Sequence, residues 1–176
     1  MTETLQAEKV EKAEKTAADT LAGMFEIGDI DGEHVCFVCT GNTCRSPMAQ
    51  AVLNHLGKPY GITAESAGIS VIPGDGIAEN SVLALKNAGI EPSEDNPYDK
   101  HTARLIDEET VKRSSRVVCM TENHMLALIG AFPQYVGKFT VMPRAVSDPF
   151  GGDLGRYEAC LSEIICGVKE LFHLDN

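Results

Sequence analysis

From residue 35 onwards, short apolar runs alternate with longer stretches of helical periodicity. Val35-Cys36-Phe37-Val38 has no polar position, the pattern of a strand buried on both faces. Ser46 then offers a helix cap, Pro47 suits the first helical position, and Met48 to Leu56 continues the helix until Gly57. A second strand is expected over Ile62 to Ser66, and a helix from Ile77 to Ala88 that Gly89 stops. His101 to Ile106 reads as extended or irregular. Asp107 opens a helix to Ser114, and Arg116-Val117-Val118-Cys119-Met120 is a third buried strand. Thr121 caps a helix towards Ile129, Phe139 to Met142 is the fourth strand, and Asp153 to Leu171 is a long last helix. Its apolar positions are Leu154, Tyr157, Leu161, Ile164, Ile165, Val168 and Leu171.

This alternation predicts a three-layer α/β/α fold around a four-stranded parallel sheet. Ligands bind such sheets at the carboxyl ends of the strands. The loop after the first strand, residues 39–46, is therefore the expected binding place. Residues 1–32 stand apart from the domain expected over 33–176. The run Leu5 to Leu21 is rich in strong helix formers, with Glu8/Lys12 and Glu11/Lys15 in favourable i,i+4 order, but its apolar stripe is thin. It reads either as an appended helix docking on a partner or as a solvated, partly frayed extension.

The loop Cys39-Thr40-Gly41-Asn42-Thr43-Cys44-Arg45-Ser46 joins a strand to a helix. A loop ending at a helix N-terminus turns consecutive backbone N–H groups inward and adds the positive end of the helix dipole, which suits a phosphate. Gly41 tolerates unusual dihedrals, and Asn42 is among the few other residues that visit the left-handed region readily. Arg45 can grip two phosphate oxygens as a fork. The same positive field stabilises a thiolate at Cys39, and Ser46 can donate its hydroxyl to that sulfur. Cys39 is thus a nucleophile beside a bound phosphorus, which predicts a phosphocysteine intermediate. The spacing Cys-x5-Arg alone is weak; its placement between strand and helix, followed by Ser-Pro, is specific. A phosphatase also needs an acid for the leaving group and a base for water. Asp148-Pro149 follows the fourth strand on the same sheet edge, with Pro149 stiffening the loop.

Composition narrows the setting. The 176 residues suit one domain, and the net charge of −11 argues against nucleic acid or anionic membrane as partners. No stretch approaches a membrane span, and the first residues lack a signal peptide's pattern, so a cytoplasmic location is expected. Free thiols are then expected for Cys36, Cys39, Cys44, Cys119, Cys160 and Cys166. Cys36 and Cys39 form a CxxC with no second ligand pair, so zinc is a poor reading. No metal or cofactor is required, because the loop supplies the charge compensation.

Phe37 to Ala49, with its Cys-Thr-Gly-Asn-Thr-Cys-Arg-Ser-Pro core, and Asp148-Pro149-Phe150-Gly151 resemble the signature and acid loop of the low-molecular-weight protein tyrosine phosphatases. Glu65-Ser66-Ala67-Gly68, His101-Thr102-Ala103-Arg104 and Val118-Cys119-Met120 also fall where that family's segments do. The resemblance covers residues 34–172. It implies that Cys39 is the nucleophile, Arg45 the phosphate clamp and Asp148 the general acid and then base. It implies phosphate or substrate contacts from Thr40, Gly41, Asn42, Thr43, Cys44, Ser46 and Phe150. It further implies that Asn42, Ser66 and His101 hold the loop open, and that Cys44 pairs reversibly with Cys39 on oxidation. His101 also fits an ordinary satisfied histidine. Thr121 stands where many tyrosine-directed members have an acidic residue.

The expected substrate is a phosphorylated protein. Thr43 and Phe150-Gly151 resemble the bacterial protein-arginine phosphatases of the family; tyrosine-directed members usually have an aliphatic residue at the first position and tyrosines after the Asp-Pro. A hydroxyl can bond a guanidinium N–H, whereas an aliphatic wall suits a phenyl ring. Phosphoarginine is therefore preferred, with phosphotyrosine the alternative. A thiol-coupled arsenate reductase would use the same loop, but no cysteine follows Cys119 before Cys160 to relay a disulfide, and Pro47 replaces the usual glutamine. A non-catalytic phosphoprotein reader would lack the nucleophile or the acid. Phosphatases with a His-Cys-x5-Arg loop are disfavoured because Val38 precedes the cysteine.

Overall fold

The computed structural model describes residues 32–174. The expected helix over Leu5–Leu21 lies outside the described residues. Four strands form one parallel sheet: β1 (His34–Cys39), β2 (Thr63–Gly68), β3 (Arg116–Cys119) and β4 (Phe139–Val141), in the order β2-β1-β3-β4. Five α-helices connect or follow them: α1 (Arg45–Leu56), α2 (Glu79–Asn87), α3 (Glu108–Arg113), α4 (Glu122–Ala131) and α5 (Leu154–Phe172).

Alternate residues of the central strands serve different layers, as the pleat requires. Cys36 and Val38 of β1 pack with Val117 and Cys119 of β3 against Val111 of α3 and Leu128 of α4. Val35, Phe37 and Val118 are also wholly buried and point to the opposite face. On that side α1 packs on β1 and β2, and α5 packs on α1 and α2. The three-layer expectation is therefore met.

Chain order explains where the site lies. From β1 the chain goes through α1 to β2 on one side, then crosses back to β3 on the other side of β1. The carboxyl end of β1 is thus the point where the winding changes direction, the usual crevice in an open α/β sheet.

Several ends differ from the sequence reading. The first helix begins at Arg45, with Cys44 as its cap residue and no capping side chain. Ser46 is the second helical residue and Pro47 the third. Proline is tolerated there because the N–H of the first turn has no helical partner. The Ser46 hydroxyl turns inward instead of capping. At the other end Gly57 is right-handed (φ −81°), so its need for glycine is steric: a Cβ would meet the Leu53 carbonyl at 2.7 Å and Ile62 Cβ at 2.9 Å. Helix α2 begins two residues later than expected, at Glu79. Asp107 and Thr121 do cap α3 and α4, accepting from Thr110 N–H and His124 N–H. In α5 the buried stripe is Tyr157, Cys160, Leu161, Ile164, Val168 and Phe172, while Leu154, Ile165 and Leu171 are only half-buried. Among the described residues no helix is long and apolar enough to cross a membrane.

Candidate active site

Strand β1 delivers Cys39 as its last residue, paired in register with Gly68 at the end of β2. The backbone then coils directly over Gly68. Any Cβ there would lie 2.5 Å from the Thr40 carbonyl and 2.6 Å from Val71 Cγ1. Glycine at 68 is what lets the loop sit down on the sheet edge. Three further backbone bonds fix it: Ile69 N–H to the Cys39 carbonyl (3.0 Å), Ser70 N–H to the Thr40 carbonyl (3.0 Å) and Ala78 N–H to the Thr43 carbonyl (2.8 Å).

Asn42 is the keystone. Its φ is +56°, the left-handed region that asparagine tolerates better than most residues, and it is wholly buried. Its Nδ2 donates to Ser46 Oγ and to Ser66 Oγ, each at 2.9 Å. Its Oδ1 accepts from the Arg104 backbone N–H at 3.0 Å, and its carbonyl lies 2.8 Å from His101 Nε2. A carbonyl only accepts, so His101 carries its proton on Nε2. Ser66 Oγ passes its own proton to Gln50 Oε1 at 2.7 Å. Asn42, Ser66 and His101 thus meet in one net. Gln50 and Arg104 complete it, although the sequence reading gave neither a part; a polar residue within an apolar helical face was the only signal for Gln50.

Cys39 is 2% exposed; its sulfur accepts the Asn42 N–H at 3.3 Å and lies 3.0 Å from Ser46 Oγ. The Asn42 N–H donates to the sulfur, and the single Ser46 hydroxyl proton has the sulfur and the Ala67 carbonyl, at 3.3 Å, as its two acceptors. Arg45, buried at the start of α1, donates from Nη2 to Asp148 Oδ2 at 2.7 Å. The Phe150 N–H binds the other carboxylate oxygen, Oδ1, at 3.2 Å, so the acid loop orients its own side chain. Cys44 Sγ lies 3.4 Å from the hydroxyl of Tyr157 and 3.6 Å from Thr43 Oγ1. All six cysteines are free thiols. Burial drives the Cys119 and Cys160 thiols up to about 12 and raises Cys36 further, which makes these three inert beside Cys39. Among the described residues no group of three or more His, Cys, Asp or Glu side chains is placed to hold a metal ion.

These side chains surround a cavity of about 260 Å³. Cys39, Thr40, Gly41, Thr43, Cys44 and Arg45 form its floor and near wall, and Asp148 and Phe150 the far side. Ser70, Ile72 and Asp75, from the loop after β2, complete the rim and were not foreseen. Asn42 and Ser46 are wholly buried and do not line it, so their side chains support the loop from within. Phe150 is 76% exposed at the mouth. A nucleophilic sulfur, a guanidinium and a carboxylate converging on a space of this size can transfer a phosphoryl group.

Residues 34–174 match the family model described as low molecular weight phosphotyrosine protein phosphatase. A protein-arginine-phosphatase of Geobacillus stearothermophilus is 33% identical over 137 residues, 74% of this chain and 87% of that protein. An arsenate reductase of Brevibacillus brevis is 28% identical over 137 residues, 77% of this chain and 91% of that protein. Among solved structures, a low molecular weight protein tyrosine phosphatase from T. tengcongensis superposes with a TM-score of 0.73 at 31% identity, covering 80% of this chain and 98% of that one. The chain belongs to the low molecular weight phosphotyrosine protein phosphatase family and is a protein phosphatase of that type.

Proposed function

We propose that this phosphatase removes phosphoryl groups from arginine side chains of proteins through a phosphocysteine intermediate. The Cys39 thiolate attacks phosphorus from the cavity floor while Arg45 and the loop amides hold the phosphoryl oxygens. The P–N bond breaks as Asp148 delivers a proton to the departing guanidine nitrogen. Water then attacks the phosphorus, Asp148 takes its proton, the S–P bond breaks and inorganic phosphate leaves. A guanidine leaves poorly without that proton, because its conjugate acid has a pKa of about 12 or more.

One observation supports the choice of arginine: the hydroxyl-bearing Thr43 and the carboxylates of Asp148 and Asp75 line the same cavity as Cys39. A cationic guanidinium gains from hydroxyl and carboxylate acceptors that a phenyl ring cannot use. Phosphotyrosine is the second reading, supported by Ile72 and Phe150, whose exposed apolar surfaces at the rim can flank an aromatic ring. An arsenate-reductase reading is less supported, because Cys119 and Cys160 are both fully buried, which closes them to thiol–disulfide exchange with an outside reductant.

Hydrolysis of peptides carrying phosphoarginine or phosphotyrosine, by wild type, Thr43→Ile and Cys39→Ser, tests this. Cys39→Ser should abolish both activities. Thr43→Ile should lower phosphoarginine turnover and shift preference towards tyrosine. Wild-type tyrosine activity far above arginine activity would reverse the substrate assignment and leave the mechanism standing.

A further inference from the structure

His124 is the third residue of α4 and is 5% exposed. Hydroxyls hold its ring at both nitrogens. Nδ1 lies 2.7 Å from Thr121 Oγ1, and Nε2 lies 2.9 Å from Thr40 Oγ1. Thr121 Oγ1 also accepts the His124 backbone N–H at 3.4 Å, as the cap of α4. Thr40 directly follows Cys39, and it borders the cavity over that sulfur.

Donor counting leaves this chain two directions. A hydroxyl has one proton and two lone pairs. Thr121 Oγ1 already accepts a backbone N–H, and its own proton has Nδ1 as an acceptor at 2.7 Å. A neutral imidazole that accepts at Nδ1 carries its proton at Nε2. That N–H donates to Thr40 Oγ1, which leaves the Thr40 proton free on a side chain facing the cavity. The reverse polarity would turn the Thr40 proton back into the ring. A phosphoryl dianion offers only acceptors, so its binding selects the first polarity. Burial, reinforced by the charge of Arg45 and opposed by that of Asp148, holds His124 below its ordinary value of 6.5. The imidazole is therefore neutral at neutral pH, as the relay needs.

We propose that His124 is a positioning residue for phosphoryl binding: through its Nε2–H it aims the Thr40 hydroxyl at a phosphoryl oxygen, adding a side-chain donor to the loop amides and Arg45. This rests on the assignment of the 39–46 loop as the phosphate site. It also gives the Thr121–His124 pair a function at the position where many tyrosine-directed members have an acidic residue.

The test uses the full chain and inorganic phosphate as a competitive inhibitor of p-nitrophenyl phosphate hydrolysis. Thr40→Val removes the hydroxyl and keeps the shape; its inhibition constant should rise about tenfold, as for a lost bond to a charged group. His124→Leu should give a similar rise. The double variant should be no worse than either single one, because both act through one proton. His124→Gln places an amide N–H near the Nε2 position and should stay within about twofold of wild type. An unchanged constant in Thr40→Val, effects of Thr40→Val and His124→Leu that multiply, or a tenfold rise in His124→Gln overturns the proposal. If His124→Leu does not fold, Thr40→Val and His124→Gln decide the matter. Wild type insensitive to phosphate, or Cys39→Ser still active, would instead sink the phosphate-site assignment itself.

Discussion

Arg45 Nη2 donates to Asp148 Oδ2 at 2.7 Å, which ties the phosphate loop to a carboxylate 103 residues further along the chain. The guanidinium is almost buried while the carboxylate side chain is 53% exposed. The pair is therefore worth little as a stabilising ion pair, since solvent screens its open side. Its consequence is geometric. A planar fork has several N–H groups, so Arg45 can hold the carboxylate at one edge and phosphoryl oxygens at another. In the proposed mechanism this keeps Asp148 on the cavity, in reach of the leaving group.

Asp148→Asn separates that geometry from proton transfer. The amide oxygen still accepts from Arg45, but the side chain has no proton to give. We expect kcat to fall by roughly a hundredfold or more on phosphoarginine peptides, the usual range for a lost general acid. The fall should be smaller on p-nitrophenyl phosphate, whose leaving group departs without help. Steady-state kinetics on both substrates check this, and equal losses would remove Asp148 from the acid role.

Asn42→Ala should damage stability and activity together. The substitution leaves a non-glycine residue at φ +56° and removes the partners of Ser46, Ser66 and the Arg104 N–H. An unsatisfied buried group costs about 1–3 kcal/mol and left-handed strain about 1–2 kcal/mol, so a loss of about 3 kcal/mol is expected. Urea unfolding gives the stability. Asn42→Gly should recover the strain and not the hydrogen bonds, so it should fall between wild type and Asn42→Ala.

The contrast between Asn42 and its supports shows what was legible in the sequence. The strand–loop–helix unit was readable because a short apolar run, a Cys-x5-Arg spacing and a Ser-Pro step are local signals. Asn42 itself was readable because few residues tolerate a left-handed turn. Gln50, Arg104 and His124 were not, since each acts from another element and carries no local mark of its partner. Ser46 shows a competition between rules. As a residue before proline it looked like a cap, yet its hydroxyl is drawn inward by Cys39 and Asn42, and the helix starts without a side-chain cap. The need for glycine at 68 arises only when the loop is laid over the end of β2, which sequence spacing does not reveal.

Glu65 extends the loop's support outward. Its carboxylate accepts from Arg104, Arg113 and His34, while the Arg104 backbone N–H holds Asn42. Burial pushes this carboxyl up, but the bonds from Arg113 and His34 and the charges of Arg104 and Arg113 outweigh it, and it lies below the ordinary value. Glu65→Gln should cost about 1–2 kcal/mol, discounted because both arginines are part-exposed. It should also raise the phosphate inhibition constant modestly as Arg104 loosens. A stability loss with wholly unchanged phosphate inhibition would confine Glu65 to the scaffold.

His101 predicts a pH dependence. Burial lowers its pKa from the ordinary 6.5, helped by the charge of Arg104 and opposed by the bond to the Asn42 carbonyl. In the unfolded chain it titrates near 6.5. Below that pH the unfolded state binds a proton that the folded state resists, so stability rises with pH through this window. The contribution is complete above about 6.5 and is lost as pH falls towards and through the folded value. His101→Gln keeps an N–H donor for the Asn42 carbonyl and removes the titration. Urea unfolding at about pH 7.5 and about pH 5 should then show a smaller acid-induced loss in the variant than in wild type. The variant's remaining loss should include His124, which shifts in the same direction. Equal losses in the two proteins would mean that His101 does not carry this dependence and that the loop's acid sensitivity originates elsewhere in the net.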